Sequence, residues 1–432
     1  MLKQVWHFAR LIVTLRRFLP ALWPAHTLSV MIHTLSNGLR VVLTWRDSDV
    51  TWCGFAVGAG SRDEQPGHYG LAHFVEHTLF KGTTHRRAWH ILNRMERVGG
   101  ELNAYTTKEE TMIYSIFAGV HLERAIELMA DLVCNSVFPV DELMREKDVV
   151  LEEVASYLDV PSDAIYDDFE DLIFADTAMG HNVLGCEKDL RALTQQHCLD
   201  YLHRLYTPDN MVLYAVGRID ENRLLRLAEK HLGGLQRTLQ RMPRAMGDTP
   251  APQRREVKLG CHQAHTIVGT RLPGMYDERR FALALLNNML GGPGMNSLLN
   301  VQLRERRGYV YTVESTYTAF SDCGLMEIYL GCDHSDVRSS LRVIDRITAS
   351  LASTRLSERR LEAAKRQYCG QMMVAADSAE FTAMNLGKNV LYYGNVSTIA
   401  DTIERIRSVT ADQVRDAAQL ITSDHLSQLT FV

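Results

Sequence analysis

His73-Phe74-Val75-Glu76-His77 lies inside the apolar run GLAHFVEHTLF. On a helix, His73 and His77 are four residues apart, so both imidazoles leave from one face and could grip a single metal ion. Glu76 follows His73 by three residues and stands on the same side, beside whatever the histidines hold. Two neutral nitrogen ligands and a carboxylate able to accept a proton from a metal-bound water are the parts of a zinc hydrolase. The plainer alternative is a pair of helix histidines hydrogen-bonded at the edge of a core.

A catalytic zinc takes three protein ligands and keeps a fourth position for water. The third is sought in PVDELMREKDVVLEEVASYLD, where Leu143, Met144, Val149, Val150, Val154 and Leu158 have the spacing of an amphipathic helix that Pro161 ends. Glu146 and Glu153 are two turns apart on one stripe, and Glu152 lies about a hundred degrees away, facing solvent. Spacing alone does not choose between the first two.

Around these helices the chain reads as α+β and duplicated. Asn37-Gly38 between two alternating apolar runs signals a hairpin. VTWCGFAVGAG reads as the next strand, WHILNRMERV as a helix stopped by Gly99-Gly100, and LNAYT with TMIYSIFAG as a strand pair. Helices then run to about Leu205, and MVLYAVG closes the unit. At an offset of 216 residues Thr194 falls on Thr410, Glu142 on Glu358 and Glu146 on Glu362, but Glu153 falls on Cys369. At a slightly different offset FALALLNNML takes the place of the histidine helix, with Ala284, Asn287 and Asn288 where ligands would stand. The expectation is two related α/β-roll domains, each an antiparallel sheet with helices on one face, of which only the first bears metal. The boundaries are a zinc-binding domain over 31–235, a Pro- and Arg-rich linker over 236–255, and a related domain without ligands over 256–432.

HFVEHTLFKGT, GGELNAYTTKEET and REKDVVLEEV, in that order, resemble the signature blocks of the pitrilysin-type (inverzincin) zinc peptidases. The likeness runs from about Ile32 to the end and is nearest the short-chain branch with the mitochondrial processing peptidase β subunit and bacterial processing-peptidase-like proteins. The resemblance implies one Zn²⁺ per chain held by His73, His77 and Glu153, Glu76 as general base, and Glu146 as a residue behind the ligands that orients them. LRERRGYVYTV resembles the block whose Arg and Tyr assist catalysis, here Arg304 and Tyr311, donors suited to a carbonyl oxygen that gains charge. Asn103, Ala104 and Tyr105 fall on the strand that pairs with an extended substrate through its backbone. The implied activity is endopeptidase cleavage of unstructured peptides inside a closed chamber. The rival within the family is a non-catalytic structural or partner subunit, and such relatives have eroded ligands. The implied assembly is a homodimer with sites completed in trans, with a heterodimer of related chains as the other arrangement.

Composition fits a globular enzyme: 432 residues, 46% hydrophobic and 23% charged. A net charge of −5, with no basic stripe interleaved with aromatics, argues against a nucleic-acid partner. The eight cysteines are scattered without a C-x-x-C pair, which reads as a reducing, cytoplasmic setting. Residues 1–30 are set apart, with Lys3, Arg10, Arg16 and Arg17 among apolar residues and no acidic residue before Asp47. No run reaches the ~20 apolar residues of a membrane span. The segment is expected to lie outside the fold, as from a start assigned too early; a signal role, which would make the protein periplasmic, fits it poorly because Arg16 and Arg17 split the apolar stretch.

Overall fold

The computed structural model describes residues 30–432 apart from 176, 242, 243, 245, 247 and 248. The segment expected outside the fold therefore lies outside the described residues, except that Val30 already opens the first strand. Strands β1 (Val30–Thr34) and β2 (Arg40–Trp45) form the hairpin expected at Asn37-Gly38, and β3 (Val50–Val57) follows. Helices α1 (Leu71–Leu79) and α2 (Ala88–Glu96) lead into the strand pair β4 (Glu101–Thr106) and β5 (Thr111–Ala118). Then come α3 (Leu122–Asn135), α4 (Val140–Leu158), α5 (Pro161–Ile173), α6 (Glu187–Ala192), α7 (Gln195–Leu205), the closing strand β6 (Met211–Gly217) and α8 (Glu221–Leu232). The sheet order is β1-β2-β6-β3-β5-β4, which leaves β4 at an edge.

The second half repeats the plan: β7 (Arg254–Val257), β8 (Ala264–Leu272), α9 (Arg280–Gly291), β9 (Val310–Ala319), β10 (Gly324–Cys332), α10 (Val337–Ser353), α11 (Glu358–Ala376), α12 (Ala379–Tyr393), α13 (Ile399–Ser408), α14 (Ala411–Gln419) and β11 (Ser427–Phe431). Its sheet order is β7-β11-β8-β10-β9. Thr194 and Thr410, matched at the 216-residue offset, both cap helices, accepting from the backbone N–H of His197 and Gln413. Among the described residues no helix is long and apolar enough to cross a membrane.

Helix faces follow the apolar spacing. In α3, Leu122, Ala125, Ile126, Met129, Leu132 and Val133 form one stripe buried in the main core of the first half, together with α1, α7 and α8. The second half buries α9, α10 and α14 in the same way.

The α+β class and the duplication agree with the sequence reading, while two details correct it. Neither sheet is wholly antiparallel, because β2 pairs parallel with β6 and β7 with β11. Nor do helices cover only one face of each sheet. The second face of the second sheet is covered by α5, from the first half, through Ile165, Phe169 and Ile173 against Ile267, Leu325 and Leu429. Reciprocally α12, from the second half, lays Ala383, Leu386 and Val390 on Val42, Ala56, Val212 and Tyr214 of the first sheet. Gly387 allows that approach, since a Cβ there would stand 2.5 Å from the Tyr214 ring. The halves thus exchange one helix each. The acidic run Asp167-Asp168-Phe169-Glu170-Asp171 on α5 is solvated on one side only, with Asp168 and Asp171 exposed. Phe169 is fully buried, and Glu170 pairs with Lys108 at 2.9 Å.

The segment expected to be a linker is strapped to the body by its arginines. Arg237 donates to the carbonyls of Val133, Cys134 and Tyr206. Arg244 reaches Asp63, Glu109 and Ser321, the last of these in the second half. Arg62 adds a buried bridge between halves, to Glu109 at 2.6 Å and to Asp322 at 2.7 Å.

Candidate metal centre

Helix α1 begins where Gly70, at φ +92°, turns the chain into it. A side chain there would be strained by the left-handed backbone and would meet the Leu184 carbonyl at 2.7 Å. No side chain at the cap position satisfies the first free N–H groups. Glu64 does so from six residues upstream: its carboxylate accepts from Gly70 N at 2.9 Å and Ala72 N at 2.6 Å, and lies 2.9 Å from His181 Nε2. Burial pushes the Glu64 carboxyl up, opposed by His181 and the two N–H groups.

On this anchored helix His73 and His77 project together, ring centroids 4.5 Å apart. Helix α4 brings Glu153 across to them, its Oε2 lying 3.8 Å from His73 Nε2 and 3.5 Å from His77 Nε2. One donor atom from each of the three falls within 4.8 Å of the others, the single such group of three among the described residues. Donors held at 2.0–2.2 Å around a tetrahedral ion sit about 3.4 Å apart, so this nitrogen and oxygen set fits zinc. Glu153 is the half-exposed partner and Glu152 is exposed, whereas Glu146 is buried behind the histidines.

Glu146 Oε1 lies 3.0 Å from His77 Nδ1, and its Oε2 lies 2.5 Å from Lys81 Nζ. With the Nδ1 proton given to Glu146, the His77 Nε2 lone pair faces Glu153. Burial, aided by the neighbouring His77, pulls His73 down to about 4, so its imidazole is neutral at pH 7 and ready to ligate. Glu76, on the same helix, is largely buried. Burial pushes its carboxyl up and Glu153 adds to this, while Thr106 donates a hydrogen bond to it and His77 opposes the rise. A carboxylate held closer to neutrality than usual, beside the donor set, is suited to taking and returning a proton.

The remaining expected residues divide into two places. Asn103, Ala104 and Tyr105 lie in β4, whose outer edge is unpaired among the described residues and whose Thr106 end meets Glu76. The Tyr105 side chain points to the far face, its hydroxyl 3.7 Å from Met384 Sδ, so this strand offers the site backbone rather than phenol. Arg304 and Tyr311 sit elsewhere, and among the described residues no hydrogen bond or ion pair joins either to the histidines, Glu76 or Glu153. Arg304 is exposed in a π-helical stretch, Asn300–Glu305, and the exposed Tyr311 is the second residue of edge strand β9, with its hydroxyl 3.0 Å from Asp333.

Glu64, Lys81 and Thr106 were absent from the sequence reading. Lys81 had a signal, four residues after His77. Glu64 and Thr106 had none, since their contacts depend on how loop and strand return to α1.

Family models match in two blocks, "Insulinase (Peptidase family M16)" over residues 40–187 and "Peptidase M16 inactive domain" over 192–368. The second block overlaps the half that lacks ligands. An uncharacterized zinc protease of Mycobacterium leprae is 36% identical over 410 residues, spanning 91% of this chain and 89% of the relative. Another from Bacillus subtilis is 31% identical, spanning 91% and 96%. Among solved structures, a protease from Helicobacter pylori shares the fold with a TM-score of 0.86 at 19% identity, covering 93% of this chain and 99% of that one. A peptidase M16 inactive domain from Pseudomonas fluorescens gives 0.87, also at 19% identity, covering 94% and 98%.

Proposed function

The chain belongs to the M16 peptidase family, and from that premise we propose that it is a zinc-dependent endopeptidase acting on unstructured peptides. The observation that carries the reading is the convergence of His73, His77 and Glu153 beside Glu76. One zinc ion per chain would be held by the three ligands, and when bound it supplies Lewis acidity to a water and to a carbonyl oxygen. Glu76 accepts the proton of the attacking water and passes it to the leaving amine. Glu146 and Lys81 keep His77 oriented. The free edge of β4 aligns the substrate by main-chain hydrogen bonds, which tolerates many sequences and requires an extended chain.

The intact ligand set favours catalysis over a role as a non-catalytic partner subunit, because such a role sets no demand on these residues. The test is direct. The purified protein should hold about one zinc per chain and cut a library of unstructured peptides, lose activity to a chelator, and regain it on adding zinc. Absence of cleavage by the zinc-loaded protein would overturn the reading. All eight cysteines are free thiols, which fits a reducing, cytoplasmic location.

Arg304 and Tyr311 complete the proposal in trans. Exposed and apart from the ligands within one chain, they would face the zinc site of a second copy, giving a two-fold homodimer with two shared sites. Co-expressed Glu76→Gln and Arg304→Ala chains would then regain up to half of the wild-type activity per mixed dimer. No recovery in verified mixed dimers would rule out sharing; a heterodimer with a related chain would appear as an inactive monomer when the chain is made alone.

A further inference from the structure

Beyond the far end of β4 lies a surface cleft of about 510 Å³ along α2, lined by Arg86, Trp89, Arg94, Arg97 and Arg124 together with His85 and His90. Its charges fall into two sets. Arg86 is held by Asp131 at 2.5 Å and Glu127 at 2.6 Å, and Arg94 is also held by Glu127. Arg97 and Arg124 have no ion pair among the described residues: Arg97 lies 4.7 Å over the Trp89 ring, and Arg124 donates to the Arg94 carbonyl at 2.8 Å. Two guanidinium charges are therefore left over at the surface. Beside them Trp89 is 57% exposed and Leu92 51% exposed. An arginine stacked on an exposed tryptophan within a cleft has the composition of a recognition patch, and its charge calls for a carboxylate.

Its place in the chain says whose carboxylate. Arg97 and Val98 are followed by Gly99-Gly100 and then by β4, whose other end, Thr106, contacts Glu76. From Thr106 to Glu101 the strand covers roughly 17 Å at about 3.3 Å per residue. A peptide paired with this edge and running past Glu101 comes to the cleft. We infer that this cleft is a subsite for acidic residues of the peptide substrate about six to nine residues from the bond that is cut. The inference rests on the peptidase reading. Arg97 and Arg124 are the specificity-determining residues, with Trp89 holding Arg97 in place by stacking.

The test uses paired peptides of one sequence around the cleaved bond, carrying Glu-Glu or Gln-Gln at six to nine residues from it, on either side. Wild type should favour the Glu peptide on one side by about 10- to 100-fold in kcat/KM, expressed in KM and weakened by salt. The Arg97→Gln Arg124→Gln variant should collapse that ratio toward one. Arg338→Gln Arg342→Gln, which removes the same charge from the second half, should leave it intact. Binding is read separately by Trp89 fluorescence in zinc-loaded Glu76→Gln protein, with Trp89→Phe as the blank, so the subsite is tested even if no peptide is hydrolysed. Equal KM for both peptides on both sides, or equal binding of both by the Glu76→Gln protein, would overturn the inference. So would a fluorescence response to inorganic phosphate as strong as that to the Glu peptide.

Discussion

Helices α4 and α11 occupy matching places in the two halves, 19 residues each, and at the 216-residue offset Glu146 of the first falls on Glu362 of the second. In the first, Glu146 is buried against His77 and Lys81, and Glu153 reaches both histidines. In the second, Glu362 turns to Lys365 at 3.0 Å, and the counterpart of Glu153 is the buried Cys369. The partner helices differ in the same sense: α1 presents His73, Glu76 and His77, while α9 presents Ala284, Asn287 and Asn288. The scaffold has been kept, and its pair of facing helices filled once with ligands and once with core and amide side chains. The fold therefore does not require the metal residues, and substitutions at matched positions should separate chemistry from architecture.

The largest contrast is expected at the ligands. Glu76→Gln should keep zinc and lower peptide turnover by about 10²–10⁴-fold, since the amide preserves shape but accepts no proton. Glu153→Gln should lose zinc instead. The matched change Cys369→Ser should leave both zinc content and turnover in place, at some cost in stability. Metal analysis and peptide assays on the three proteins decide the matter; zinc loss from the Cys369 variant would mean the halves are not divided as described.

Next come the exchanged helices. Phe169→Ala empties the contact of α5 with the second sheet and should cost ~3–5 kcal/mol, and Leu386→Ala on α12 should cost ~2–5 kcal/mol against the first sheet. Because each half completes the other's core, both variants should still unfold in one transition seen alike by fluorescence and circular dichroism. Two separated transitions in either variant would show the halves to be independent.

A smaller difference is expected between Glu146 and Glu362. Glu146→Gln leaves His77 with a weaker partner and Lys81 without its carboxylate, and should reduce zinc affinity about 10–100-fold. Glu362→Gln takes the carboxylate from the buried Lys365 but leaves it an amide oxygen, and should lower stability by about 1 kcal/mol with zinc affinity unchanged. Competition with a zinc chelator of known affinity measures both.

These contrasts also mark what the sequence could and could not reveal. The donor residues were readable because a helix imposes its own geometry: a four-residue gap fixes His73 against His77 whatever lies around them. The duplication was readable because cap residues and apolar stripes recur at a constant offset, as at Thr194 and Thr410. Choosing Glu153 over Glu146 required the family resemblance, since both share a stripe and only the packing of α4 on α1 separates them. The helix exchange was hidden for a different reason. The apolar side of α5 announces that Ile165 and Phe169 are buried, but periodicity carries no record of which sheet buries them. Glu64 was hidden too, because a carboxylate reaching α1 from a preceding loop leaves no spacing signature.

The last contrast expected is a pH dependence centred on one carboxyl of the second sheet. At the 216-residue offset, Glu327 in β10 stands where the first half has Thr111, whose hydroxyl donates to the Ala59 carbonyl. Glu327 is buried under α5, with its Oε2 3.3 Å from the Thr316 hydroxyl and its Oε1 without a hydrogen-bond partner among the described residues. Burial pushes its carboxyl up to about 8, with Glu170 and Asp167 adding to the rise and Thr316 and Lys108 opposing it. The unfolded chain releases this proton near the ordinary glutamate value of about 4.3. Between that pH and 8 the folded state holds a proton that the unfolded state lacks, so stability falls as pH rises through the window, and the whole penalty is present above it. Glu327→Gln removes the titration while keeping the shape. Its gain over wild type should be near zero at pH 4.5, grow through neutrality and level off above pH 8 at ~1–3 kcal/mol, below the roughly 5 kcal/mol that the full shift would give. Denaturant melts of both proteins at pH 5, 7 and 8.5 measure it. A gain that is constant with pH would mean that Glu327 does not titrate there, and one that shrinks with rising pH would mean that the Glu327 carboxylate is stabilised, rather than penalised, beneath α5.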